Sequence, residues 1–162
     1  MAGLEDLYRE IILDHYRSPR NRGELEVPPA LRLEGFNPLC GDEIVVYLDV
    51  RDGLVSDLKI AGQGCSISQS SASMMSAAVK GKTVVEARAL IRAFKAMMSI
   101  HEHRLDDDGG DSEDGAAAAA AADAEVKLGD LEALQGVVRF PVRIKCATLS
   151  WNTLAQGLDE AR

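Results

Sequence analysis

Apolar residues recur at two different periods along this chain, and the change of period marks its elements. Leu4, Leu7, Tyr8, Ile11, Ile12 and His15 fall at helical spacing, which predicts an amphipathic helix over residues 4–17 with one face docked. The stretch from Ser18 to Gly23, with Pro19 inside it, ends that helix. The period then drops to two. Leu31, Leu33 and Gly35 alternate with Arg32 and Glu34, and Ile44, Val46, Leu48 and Val50 alternate with Val45, Tyr47 and Asp49. After Arg51-Asp52-Gly53, Leu54, Leu58 and Ile60 alternate with Val55, Asp57 and Lys59. These three runs predict a three-stranded antiparallel meander. Pairing Val50 with Leu54 across the turn sets a register that pairs Ile44 with Ile60, Asp42 with Gly62 and Cys40 with Gly64.

Helical spacing returns after Gly62-Gln63-Gly64. A helix over about residues 67–80 has Ile67, Ser71, Met74, Met75 and Ala78 on its face, and Lys80-Gly81-Lys82 stops it. Thr83-Val84-Val85-Glu86 fits a capping box for the next helix, whose buried stripe is Ala87, Leu90, Ile91, Phe94, Met97 and Met98. The pairs Met74-Met75 and Met97-Met98 read as core packing. A short helix begins near Asp130, and Pro141 suits the first position of the last one. Ile144, Ala147, Trp151, Leu154 and Leu158 dock that last helix, so the whole reads as a three-stranded sheet packed with helices.

Composition narrows the class. The 162 residues, 46% hydrophobic and 4% aromatic, predict one compact domain. The net charge of -8 is local, because residues 106–125 hold eight acidic residues and no Lys or Arg. With the seven alanines beside them they make a low-complexity acidic and Ala-rich insertion at about residues 105–126. The remainder is balanced, which argues against a nucleic-acid partner, and no apolar run reaches the length that crosses a bilayer. Three cysteines and no signal-like leader predict a reducing, cytoplasmic location.

The candidate chemistry centres on Asn37-Pro38-Leu39-Cys40-Gly41-Asp42, a turn that sets a thiol two residues from a carboxylate. By the predicted register Cys65 shares their sheet edge, at a helix N-terminus that favours its thiolate. Cys146, within the first two turns of the last helix, joins them only on the count of ligands. Three thiolates and a carboxylate complete a tetrahedral shell for zinc or hold an iron–sulfur cluster; three ordinary buried cysteines are the other reading. His15 reads as a packed or hydrogen-bonded histidine outside the site, and His101-Glu102-His103 as a solvated helix end.

Leu7-Tyr8-Arg9-Glu10, Asp14-His15-Tyr16, Pro19-Arg20-Asn21, the Asn37–Asp42 turn, Gly62 to Ser68, Ser73-Met74-Met75 and Lys145 to Trp151 extend the picture. Together they resemble the IscU/NifU N-terminal family of iron–sulfur assembly proteins, and the SufU branch most of all. The resemblance implies an α+β domain in which Cys40, Asp42, Cys65 and Cys146 meet as metal ligands. In SufU-like relatives these hold zinc and the protein accepts persulfide sulfur from a SufS-type cysteine desulfurase. In IscU-type scaffolds they assemble a [2Fe–2S] cluster and pass it to downstream assembly proteins or apo-proteins.

Two departures favour the SufU-like reading. Lys145 stands where scaffold relatives have histidine before the third cysteine, and Phe140-Pro141-Val142-Arg143-Ile144 replaces their Leu-Pro-Pro-Val-Lys chaperone-recognition segment. A closed shell of four protein donors leaves no place for an activated water, which argues against a zinc hydrolase. The expected role is therefore a sulfurtransferase-like acceptor or carrier. Cys40, on the Pro-Gly turn, is the candidate persulfide acceptor, and Arg143 and Lys145 are candidates to steady an anionic persulfide.

Overall fold

A computed structural model of the protein describes residues 3–38, 40–105 and 128–161. In chain order it contains α1 (Gly3–Arg17), β1 (Leu31–Asn37), β2 (Asp42–Arg51), β3 (Leu54–Gln63), α2 (Ser66–Val79) and α3 (Val84–Leu105). A 3-10 segment, Gly129–Arg139, and the last helix, α4 (Pro141–Glu160), complete it. The acidic and Ala-rich insertion lies, apart from Leu105, outside the described residues. The three strands pair antiparallel in the order β1-β2-β3, as the alternating runs predict. No helix among the described residues is long and apolar enough to cross a membrane.

The register differs from expectation. Asp52 and Gly53 both adopt positive φ, at 55° and 73°, so they form a two-residue turn that pairs Arg51 with Leu54. One residue, Ser56, then bulges out of β3 between the Val50–Val55 and Asp49–Asp57 pairs. The two effects move the ladder by two residues, so Ile44 pairs with Gly62 rather than Ile60. The bulge also resets the alternation. Val55 and Leu58, three residues apart, are both fully buried, whereas Leu54 is 39% exposed.

One face of the sheet carries Leu33, Ile44, Val46, Leu48, Val55, Leu58 and Ile60 into the core. Helix α4 crosses this face over β1 and β2, close enough that a Cβ on Gly35 would run into Thr153 Oγ1. Helix α2 packs between α4, β3 and α1. It is buried on more sides than the Ile67–Ala78 face implies, since Ser68, Ser70, Ser71, Ser73 and Ser76 are buried too. Small side chains permit that enclosure, but their hydroxyls need partners. Ser71 donates to the Ala147 carbonyl of α4 at 2.6 Å and accepts from Trp151 Nε1 at 3.1 Å. Trp151 also stacks on Phe94 of α3, with ring centroids 4.5 Å apart.

The capping box of α3 forms, with Glu86 N–H donating to Thr83 Oγ1 at 3.1 Å and the Glu86 carboxylate returning to Thr83. Met74, Met75 and Met98 are core residues, and Met97 packs against them. The short helix expected near Asp130 is a 3-10 segment because its apolar residues Leu131, Leu134 and Val137 recur every third position, the pitch of that helix. His15 is buried, with Nδ1 2.8 Å from Ser73 Oγ and Nε2 3.2 Å from the Asp130 carboxylate, so it ties α1 to α2 and to the 3-10 segment. The side chains of His101 and His103 fall outside the described residues.

Candidate metal centre

The site grows out of the sheet's inward rows. On β1 the row Leu31, Leu33, Gly35 ends in Asn37, and on β2 the row Leu48, Val46, Ile44 ends in Asp42. Asn37 and Asp42 are paired across the ladder, so the Asn37–Asp42 stretch is a hairpin with Cys40 in its four-residue loop. Its return depends on Gly41 at φ +68°, and the Cys40 N–H bonds the Asn37 carbonyl at 3.2 Å. Where the apolar rows run out, two polar side chains are left facing α2 and α4.

The two-residue register shift decides what Asp42 meets. Continuing the observed ladder brings Asp42, rather than Cys40, level with Gly64. A Cβ on Gly64 would lie 2.5 Å from Asp42 Oδ1, so only glycine lets the carboxylate sit against the start of α2. There Asp42 Oδ1 accepts the Cys65 N–H at 2.8 Å. Cys65 is the N-cap of α2, and its sulfur accepts the Ser68 N–H at 3.5 Å. Burial alone would raise the Asp42 pKa; the Cys65 N–H and hydrogen bonds from the Cys146, Cys65 and Ser68 side chains outweigh it and hold the carboxyl below its ordinary value.

Cys146 arrives from α4. Its sulfur is fully buried, 3.3 Å from the Cys40 sulfur, and both thiols are free. Burial first, then its hydrogen bonds to Asp42 and Cys40, push the Cys146 thiol far above its ordinary range. Cys40, Asp42 and Cys146 place donor atoms within 4.8 Å of one another. Cys65 joins through Asp42, its sulfur 3.8 Å from Oδ2. Tetrahedral zinc with Zn–S bonds of about 2.3 Å has sulfur–sulfur edges of about 3.8 Å. The Cys40–Cys146 contact lies within about half an ångström of that. Cys65 stands outside the group of three whose donor atoms all lie within 4.8 Å, so the structure brings Cys40, Asp42 and Cys146 together and leaves the Cys65 sulfur beside Asp42. Two soft sulfurs and a carboxylate so placed, with a third sulfur beside them, suit zinc or iron.

The two basic candidates separate. Arg143 and Cys146 share a face of α4 at i, i+3, and the Arg143 guanidinium reaches the thiols. Electrostatic attraction to Cys65 and hydrogen bonding with it, then attraction to Cys146 and Cys40, raise the Arg143 pKa. Lys145 is exposed and lies about 200° around the helix from Arg143. Arg143 also lines an open groove of about 850 Å³, with Arg9, Ile12, Ile67, Val137 and Phe140 along it. Phe140 is about 60% exposed.

Residues 7–147 match the NifU-like N-terminal domain. The chain belongs to the NifU-like N-terminal domain family. It is 42% identical over 157 residues to the "Zinc-dependent sulfurtransferase SufU" of Bacillus subtilis, covering 97% of this chain and 92% of that one. It is 35% identical to the "Iron-sulfur cluster assembly scaffold protein IscU" of Streptococcus pyogenes, over 99% and 88% of the two chains. Among solved structures it resembles an iron–sulfur cluster assembly scaffold for the SUF system from Fervidobacterium islandicum. The TM-score is 0.72 at 30% identity, over 96% of this chain and 99% of that one.

Three residues of this NifU-like domain were not singled out by the sequence pattern for the part they play at the site. Asn37 is buried, with Nδ2 3.5 Å from Asp42 Oδ2 and 3.4 Å from Cys146 Sγ. Ser68 supplies the N–H to Cys65, and Gly64 leaves the space for Asp42. The available signal for Asn37 was its place in the inward row of β1, where a polar residue follows Leu31, Leu33 and Gly35.

Proposed function

We propose that this chain is an iron–sulfur cluster assembly protein that binds zinc through Cys40, Asp42, Cys65 and Cys146 and accepts persulfide sulfur at Cys40. The donor would be a SufS-type cysteine desulfurase. The observation that carries the reading is the approach of the Cys40 and Cys146 sulfurs to 3.3 Å beside the buried Asp42 carboxylate. Cys146 is 106 residues from Cys40 in sequence and fully buried, so the fold gathers distant donors around one buried carboxylate, an arrangement that suits a cation. The family, and a relative named for zinc-dependent sulfur transfer, support the same assignment.

Zinc, when bound, keeps the thiols deprotonated and shields them from oxidation. The protein's own residues divide the remaining work. Asp42, held by the Cys65 N–H, supplies the one oxygen donor. Cys40 is half-buried, as Cys65 is and Cys146 is not, and it alone of the three sits on a Pro-Gly loop, which makes it the sulfur a partner reaches. Its thiolate attacks the outer sulfur of the partner's persulfide. A new S–S bond forms at Cys40, the partner's S–S bond breaks, and the electron pair departs with the partner's cysteine thiolate, so no oxidant is consumed. Arg143 steadies the terminal persulfide charge, while the groove with Arg9 and exposed Phe140 receives the partner.

The test is mass spectrometry of the zinc-loaded protein after incubation with a desulfurase and cysteine. Added sulfur is expected at Cys40, in a colourless protein with one zinc per chain. A brown chromophore with iron and sulfide in anaerobically purified protein overturns the zinc reading in favour of a [2Fe–2S] scaffold. Sulfur appearing first at Cys65 or Cys146 overturns the assignment to Cys40.

A further inference from the structure

Among the described residues, the three sulfurs differ in what donates to them. Cys65 Sγ accepts the Ser68 N–H at 3.5 Å, and Cys146 Sγ accepts the Asn37 side-chain N–H at 3.4 Å. No N–H contact to Cys40 Sγ occurs there; the Cys146 thiol donates to it at 3.3 Å. An N–H donor draws electron density from a sulfur and makes it a weaker nucleophile while fixing its position.

Asn37 is well placed for this task. It is 6% exposed, and the same Nδ2 lies 3.5 Å from Asp42 Oδ2. A carboxylate oxygen only accepts, so the amide must turn its NH2 toward the site. One side chain thus bridges the only oxygen donor and the deepest thiol. Its backbone adds to this, since the Asn37 carbonyl takes the Cys40 N–H at 3.2 Å and so anchors the loop while its amide leaves the Cys40 sulfur without an N–H donor.

We propose that Asn37 is a positioning residue that holds Asp42 and Cys146 as the fixed half of the centre and thereby directs sulfur acceptance to Cys40. The inference rests on the zinc-binding reading of the site. The variants are Asn37→Ala and Asn37→Leu, the second matching the branched shape of asparagine without its donors, so that loss of N–H is separated from loss of volume. Zinc affinity, measured by competition with a chromophoric chelator, is expected to fall about 10- to 100-fold, the usual effect of losing a hydrogen bond to a metal ligand. The sulfur-to-metal charge-transfer band of the cobalt-substituted protein should move to lower energy. After incubation with desulfurase and cysteine, sulfur should appear on Cys146 as well as Cys40.

A merely structural asparagine predicts a lower melting temperature for the metal-free variants with the cobalt band and the sulfur distribution unchanged, and that result overturns the proposal. So does zinc affinity within about threefold of the parent in a variant that folds. If the parent protein itself binds no zinc, the reading of the site fails and this inference falls with it. If the parent binds and the variants match it, only the role of Asn37 fails.

Discussion

Cys65 and Cys146 both sit near the start of a helix, yet α2 and α4 present them in opposite ways. Cys65 is the cap itself, half-buried, with the Ser68 N–H on its sulfur and the positive end of α2 behind it. Cys146 lies more than a turn inside α4, fully buried, against Asp42 and the Cys40 thiol. The first position gives the sulfur an N–H partner before any metal arrives. The second disfavours an anion, and burial pushes its thiol up. Proximity to a helix N-terminus is therefore not enough to make a reactive thiolate, and Cys146 becomes one only when a cation replaces its proton.

The largest expected effect breaks the contrast outright. Cys146→Ser should lower zinc affinity by well over 100-fold, beyond the loss expected for a supporting hydrogen bond, because it removes a thiolate from the shell. Its proton release should change too. Zinc binding to the parent must expel the Cys146 proton at neutral pH, since that thiol is held protonated. Calorimetry in buffers of different ionisation enthalpy should show one proton fewer released by Cys146→Ser. An unchanged proton count would mean that Cys146 does not ionise on binding the metal.

The next effect concerns what holds α2 and α4 together. Ser71→Ala leaves the buried Trp151 Nε1 without its acceptor and takes a donor from the Ala147 carbonyl. A cost of about 1–3 kcal/mol follows, readable as a lowered midpoint in denaturant unfolding of the metal-free protein. Because Ala147 adjoins Cys146, zinc affinity should fall as well. An unchanged midpoint would mean that the bridge does not set the spacing of the two cysteine-bearing helices.

A pH titration sharpens the contrast further. A thiol whose folded pKa is raised contributes stability that is present below its unfolded value and lost as pH rises above it. For Cys146 the unfolded value is about 8.5, so metal-free protein should lose at most about 1.4 kcal/mol per pH unit above that point. Cys146→Ser should lose less over the same range. Asp42 acts at the other end: its lowered pKa contributes stability above the ordinary carboxylate value, about 3.9, that disappears as pH falls further.

How much of this was legible beforehand depends on whether a residue's place is set locally. The helix ends, the Thr83–Glu86 box, the Pro141 start and the meander follow from short-range rules, and all are present. The register was not local. It turned on whether Asp52-Gly53 closes a two-residue turn and on a single bulged residue, Ser56, and alternating apolar residues fit either phase of β3. That shift exchanged Cys40 for Asp42 opposite Gly64 while keeping the group together. The convergence of Cys146 was the least legible part. No strand pairing links it to Cys40, and it depends on α4 lying close over Gly35, a property of packing between distant segments.

The smallest effect separates two basic residues that sequence treats alike. Arg143 and Lys145 flank Cys146, but only Arg143 shares its face of α4 and faces the three thiols. Its side chain is exposed, so its attraction to the sulfurs is screened by solvent and adds little to metal affinity. What an exposed cation does change is the encounter with a partner and the charge on a transferred persulfide. Arg143→Ala should leave zinc content at the parent value while slowing sulfur acceptance several-fold at low salt, a difference that shrinks as ionic strength rises. Lys145→Ala should fall within experimental error of the parent in both assays. Equal losses for the two would make the effect one of net charge at the start of α4, and the geometry of the Arg143 face would then contribute nothing of its own.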